Sequence, residues 1–173
     1  KYYLKIKNKL QTMLDLAAKS LELKNGVIKG DIVLKNNNLY IIEIASRLSG
    51  GFFSTITIPL VYRINLIEKA ILLSLGQKPT PPPAQLKNYC FQANRFFFPK
   101  PGIVKKIIRP TAQNLPKYVK YFEVNAKIGD EIIPIANHPM RKGSVLVTGK
   151  TRQDAISHAE RIRDLVKLET IPI

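Results

Sequence analysis

An α+β fold in two units is what this sequence predicts, and three observations predict it. A helical period near the start is followed by two apolar runs with asparagines between them, the pattern of a helix packed on a β-hairpin. The stretch QKPTPPPAQ then places four prolines in nine positions, which permits no regular element. Beyond it strand-like runs dominate until a closing helical period, the signature of a small, mainly antiparallel β unit with a terminal helix. The predicted organisation is a first unit over 1–76, a proline-rich linker over 77–86 and a second unit over 87–173.

Taken in order, Leu10, Met13, Leu14, Ala17 and Leu21 recur every three or four residues, so a helix is expected over about 4–23, ended by Lys24-Asn25-Gly26. Residues 27–35 and 39–46 are expected as antiparallel strands joined by a three-asparagine turn, because Asn tolerates left-handed backbone angles. That turn would place Lys35 opposite Leu39, Val33 opposite Ile41 and Asp31 opposite Glu43. Glu43, Ala45 and Arg47 would share one face, with Tyr40, Ile42 and Ile44 on the other. The segment RLSGGFFSTITIPL shows no helical period and is expected as a loop with a short extended piece. A second helix over about 64–75 would turn Ile67, Ala70 and Ile71 inward and stop at Gly76. In the second unit NYCFQANRFFF, IVKKII, KYVKYFEVNAKIGDEI and SVLVTGK supply strands. Thr151 and Asp154 form a reciprocal cap before a helix whose Ala155, Ala159, Ile162 and Val166 line one face.

Composition narrows the function classes. The chain has 173 residues, with 28 basic and 12 acidic side chains for a formal charge of +16. So basic a chain raises nucleic acid as a partner. The bases, however, are spread singly through amphipathic segments, with only Lys100–Arg109 as a modest cluster, which fits a solvated basic surface better. A basic nucleic-acid-binding module is kept as the alternative. One cysteine, Cys90, makes neither an internal disulfide nor a cysteine metal cluster; this fits a reducing, cytoplasmic compartment. No apolar run approaches the length of a membrane span, and the first residue is Lys, so the chain is expected to be a soluble fragment.

The chemistry concentrates in the hairpin. Asp31 and Glu43 face each other in the expected register, and like charges so placed destabilise a sheet unless something positive lies between them. Lys29, on the same face and opposite Ala45, is one candidate for that positive charge. A hard divalent cation is the other, since Mg²⁺ takes carboxylate oxygens, keeps waters and shares its sphere with substrate phosphates. Arg47 extends the same line and can fork two donors toward phosphate oxygens. Gly50 and Gly51 permit close backbone approach just beyond.

These residues carry a resemblance. GDIVLKNNNLYIIEIASRLSGG is similar to the metal-binding hairpin of the ATP-grasp superfamily, in which an acidic residue precedes by twelve positions the glutamate of a Glu-x-Asn-x-Arg signature. GGFFSTITIPLVYRINLIEKAILLSLG resembles the acceptor-substrate segment of its carboxylate–amine ligase branch, and GSVLVTGKTRQDAISHAERI resembles the C-terminal domain of carboxylases, phosphoribosylglycinamide-type ligases and amino acid ligases. The resemblance implies the C-terminal lobe of an ATP-grasp domain with its accessory domain, belonging to an ADP-forming enzyme that joins a carboxylate to an amine through an acyl phosphate. ATP and Mg²⁺, or Mn²⁺ in its place, are the implied cofactors. Asp31 and Glu43 resemble the metal carboxylates, and Arg47 resembles the catalytic arginine that contacts the transferred phosphate. Gly50, Gly51 and Ser54 fall where small carboxylate and amine substrates are bound. Ala45 departs from the signature, standing where many members have a metal-ligating Asn; a catalytically inactive relative is therefore a further alternative. The nucleotide lobe of such enzymes precedes the residues seen here, so the missing N-terminal part of the same protein is an expected partner, activity is expected of the intact protein and not of this fragment alone, and a homodimer is compatible with the pattern.

Other residues offer less. His138 and His158 lie in different elements and make a poor acid–base pair, Thr55 shares the loop of Ser54, and Arg141 lies in a basic turn from which it could reach a substrate in the complete enzyme. Met13 and Met140 are ordinary packing or loop residues.

Overall fold

A computed structural model of the chain describes residues 2–83 and 86–172. It divides into two compact units, Lys1–Leu86 and Lys87–Ile173.

The first unit opens with helix α1 (Tyr2–Ser20), which lays a half-buried stripe of Leu10, Met13, Leu14 and Ala17 toward the strands. It stops earlier than its periodicity suggests. Glu22 adopts a left-handed conformation (φ 53°) and the Leu23 amide donates to the Ala18 carbonyl at 2.9 Å, so the helix closes before Lys24 and leaves Leu21 exposed.

Strands β1 (Lys29–Lys35) and β2 (Asn38–Ala45) form an antiparallel hairpin. Gly30 marks its contact with the helix. A Cβ there would lie 3.1 Å from Ile44 Cδ1 and 3.3 Å from Leu14 Cδ2.

The turn is one residue shorter than expected. Asn36 and Asn37 both take left-handed angles (φ 49° and 61°), the geometry of a two-residue hairpin loop, and Lys35 pairs with Asn38. Val33 consequently pairs with Tyr40 and not Ile41. The ladder then shifts by one residue between Asp31 and Ile32, at a bulge that takes up Ile42, and Asp31 pairs with Glu43 after all. The expectation of a buried apolar face on β2 is only partly met: Tyr40, Ile41 and Ile42 are exposed, and Ile44 alone of the group turns toward the helix.

The segment after β2 folds as helix, which corrects the expected extended piece. Phe52 is left-handed (φ 68°) and starts a π-helical turn, Phe53–Thr57, in which the Thr57 amide donates to the Phe52 carbonyl at 2.8 Å. Helix α2 (Ile58–Tyr62) continues it, with Pro59 at a position in its first turn where no amide donor is needed. Helix α3 (Leu66–Ser74) is capped by the Asn65 side chain, which accepts from the Glu68 amide. Its inward face is Leu66, Ala70, Leu72 and Leu73, whereas Ile67 and Ile71 point outward, contrary to expectation. The proline-rich stretch is irregular through residue 83, and positions 84 and 85 of the expected linker lie outside the described residues.

The second unit holds two three-stranded antiparallel sheets. One has the order β3 (Phe91–Phe96), β7 (Gly143–Gly149), β5 (Val119–Val124); the other has β6 (Glu131–Ile132), β4 (Gly102–Ile108), β8 (Lys167–Ile171). Helix α4 (Arg152–Asp164) packs on β7 and β3, burying Ala155, Ala159 and Ile162 against Val145 and Val147. Its capping box is complete: the Asp154 amide donates to Thr151 Oγ1 and the Thr151 amide to Asp154 Oδ2. The helix is not terminal as expected, because β8 follows it and pairs with β4. Gly149 lets α4 leave the sheet at this angle, since a Cβ would stand 2.4 Å from the Ala155 nitrogen. Among the described residues no helix is long and apolar enough to cross a membrane.

Candidate functional site

The hairpin places four charges in a line on one face. The sheet register sets Asp31 across from Glu43 and Lys29 across from Ala45. Alternation keeps Lys29 and Asp31 on the same side. The Lys29 ammonium lies 2.5 Å from Asp31 Oδ2 and 3.1 Å from Glu43 Oε1. Arg47 follows, its Nη2 3.6 Å from the same Glu43 oxygen and its Nη1 donating to the Leu48 carbonyl at 3.1 Å. The carboxylates are about half exposed (56% and 52%), while the Lys29 side chain between them retains 16% of its surface. Hydrogen bonds to Asp31 and then Glu43 hold the Lys29 ammonium above its ordinary value of 10.5.

So the neutralising lysine foreseen from the sequence is in place, and it also tests the other candidate. Two carboxylates that both reach one ammonium can both reach one cation. Their all-oxygen donor set and solvent access suit a hard divalent ion that keeps waters for the rest of its sphere. Among the described residues no cluster of three or more His, Cys, Asp or Glu side chains offers a fuller metal cage. Ala45 adds no acceptor, and Ser46 is exposed.

The remaining candidates are placed as follows. Gly50 is open, with no atom within 4 Å of a Cβ built there, and Gly51 needs its freedom for a φ of 62°. Ser54 is buried (3% exposed) and its hydroxyl has no hydrogen-bond partner; Thr55 is exposed. Arg141 stacks its guanidinium over the Phe96 ring at 3.9 Å. His158 lies flat against Tyr118, with ring centroids 3.8 Å apart and its Nδ1 2.9 Å from the Thr148 carbonyl, whereas His138 sits in an exposed 3-10 turn. Two features escaped the sequence reading. The bulge at Ile42 was signalled by the Asn-Asn pair, whose two-residue turn demands one extra residue to bring Glu43 to Asp31. The Tyr118–His158 stack joins residues forty apart and has no local signal.

Within the basic cluster, Lys105 and Lys106 are exposed on β4, but Lys106 pairs across the strands with Glu169. That is the pattern of a charge-balanced sheet face.

Comparison with known proteins places these observations. Residues 95–170 match the family model of L-amino acid ligase C-terminal domain 2. The phosphoribosylglycinamide synthetase of Anaerococcus prevotii superposes with a TM-score of 0.78 over 96% of this chain and 42% of its own, at 22% identity. The likeness is one of fold: nearly the whole of this chain follows the backbone of about two fifths of that synthetase. The L-amino acid ligase of Bacillus licheniformis superposes at 0.73, covering 95% of this chain and 41% of its own at 16% identity. The biotin carboxylase of Campylobacter jejuni, in complex with β-γ-ATP, superposes at 0.63, covering 97% and 37% at 21% identity. The chain thus spans about two fifths of the length of these three structures. No curated protein matches it in sequence.

Proposed function

We propose that this chain is the C-terminal portion of an ADP-forming ligase that joins a small carboxylate to an amine, working with a nucleotide lobe from the preceding part of the same protein in a cytoplasmic setting. One observation carries the reading: Asp31 and Glu43 converge on a single cationic point with Arg47 beside them, in a fold shared with ligases and with a carboxylase held with β-γ-ATP. Asp31 and Glu43 are the side chains that would hold Mg²⁺, or Mn²⁺ in its place, and such an ion supplies charge neutralisation for ATP phosphates.

Arg47 directs guanidinium donors at the edge of the carboxylate pair, where a transferred phosphoryl group gathers negative charge. None of these side chains needs to act as a covalent nucleophile, so the contribution is positional and electrostatic. Carboxylate plus ATP then gives acyl phosphate and ADP, and the amine displaces phosphate. Gly50 and Gly51 leave the backbone open for substrate beyond Arg47, with the buried, unpaired Ser54 hydroxyl in the turn that follows. Ala45, which brings no ligand, and Lys29, which already neutralises the pair, favour a second reading as a catalytically inactive relative.

The two part on one measurement: substrate-dependent release of ADP by residues 1–173 and by the complete protein, each with and without Glu43→Ala. The expected result is no turnover by the shorter chain, turnover by the complete protein, and a loss of roughly 100-fold or more on removing Glu43. AMP and pyrophosphate as products would overturn the mechanism. Silence from the complete protein across carboxylate and amine panels would favour the inactive relative.

A further inference from the structure

We infer that Lys29 is a built-in competitor for the divalent cation: its ammonium occupies the point shared by Asp31 and Glu43, so an ion enters only by displacing it, and the residue sets metal affinity at this hairpin. The inference rests on the proposed metal role of the two carboxylates and adds to it a residue that opposes binding. Three observations carry it. The ammonium bonds both carboxylates at once, at 2.5 and 3.1 Å, and so stands where a bridging cation would stand. Lys29 is the most shielded member of the group, while both of its acceptors keep more than half of their surface open to water, so exchange of cations needs no opening of the fold. Its cross-strand partner is Ala45, whose side chain can neither hold the lysine nor replace it.

Arg47 does not duplicate the function. It reaches only Glu43, at a longer distance, and spends one nitrogen on the Leu48 carbonyl. The four charged groups on this face are therefore one ammonium shared by two carboxylates, with a guanidinium at the rim. Removing the ammonium should act in opposite directions on two properties. It leaves like charges facing each other, which loosens the metal-free hairpin, and it vacates the place a metal needs.

The test is direct Mn²⁺ binding to the 173-residue chain, followed through the electron paramagnetic resonance signal of free Mn²⁺. Wild type is compared with Lys29→Gln, Lys29→Arg, and Lys29→Gln combined with Glu43→Gln. Lys29→Gln should bind Mn²⁺ about tenfold more tightly, the size expected for releasing two half-exposed ion pairs. Lys29→Arg, which keeps the charge, should bind like wild type, and the double variant should lose the gain. Lys29→Gln keeps a donor, and circular dichroism of each variant guards against an unfolded hairpin; Lys29→Met serves if glutamine fails that check. Equal or weaker binding by Lys29→Gln than by a wild type that binds would overturn the inference and leave the metal site standing. No Mn²⁺ binding by any variant would overturn both.

Discussion

Glu43 is a charge in an otherwise apolar strand, tolerated because Lys29 and Arg47 both reach its Oε1 and because its side chain stays half in water. A different carboxylate shows the same economy in a setting whose pH dependence can be signed. Asp154 accepts from the Thr151 amide within the α4 capping box, and its hydrogen bonds with Thr151 hold its carboxyl below the ordinary 3.8. A carboxylate favoured by folding stabilises fully above its unfolded value, and that stabilisation fades as pH falls through the lower folded value. Thr151→Ala removes one half of the box and should cost about 1 kcal/mol at neutral pH. Because part of the advantage depends on the ionised Asp154, the melting difference between wild type and Thr151→Ala should shrink well below pH 3.8. A difference that stays constant through the acid range would mean that the hydroxyl bond alone carries the cap.

At the scale of elements, the two-residue turn and the bulge offset each other. The turn sets a register that would put Glu43 opposite Gly30, and the bulge at Ile42 restores the Asp31 pairing. The register therefore depends on both asparagines holding left-handed angles. Asn37→Val places a β-branched residue at φ 61° and should destabilise the hairpin by about 1–2 kcal/mol. Faster amide hydrogen exchange along β1 and β2, with α4 unchanged, would show it; protection unchanged in β1 would mean that the turn does not set the register. What was legible in the sequence follows from the range of each signal. The capping box was legible because a cap spans four residues; the carboxylate pairing was foreseen from a turn one residue too long and is met only because the bulge makes up the difference. The helical turn at Phe53–Thr57 was not, because Thr55, Ile56, Thr57 and Ile58 have strand-like branching that tertiary contacts override. Strand β8 was missed for a similar reason: it is only Lys167–Ile171, and its partner β4 lies some sixty residues earlier. Ile67 and Ile71 misled because helical period identifies a stripe without saying which side of it finds a partner.

At the scale of the whole molecule, the apolar interior is unevenly shared. Among the described residues the first unit buries only Val61 and Ile64 as hydrophobic side chains, while Leu16, Tyr40, Ile42, Phe53, Ile71 and Leu75 each expose half or more of their surface. The second unit has a continuous core of Val145, Val147, Ala155, Ala159, Ile162 and Phe97. Burial of apolar surface is the main source of stability, so the second unit should be the more stable and the first should gain most from whatever binds it. Calorimetry of the chain should therefore show two transitions. Asn37→Val should lower only the earlier one. Gly143→Ala should lower only the later, by about 3 kcal/mol, because Gly143 has φ 114° and a Cβ there would lie 2.0 Å from the Glu123 carbonyl oxygen. On the metal role proposed for Asp31 and Glu43, which both lie in the first unit, added Mn²⁺ should raise the first transition alone. A single transition that both substitutions shift alike would instead make the two units one cooperative body, and would require that the hairpin draw its stability from the second core.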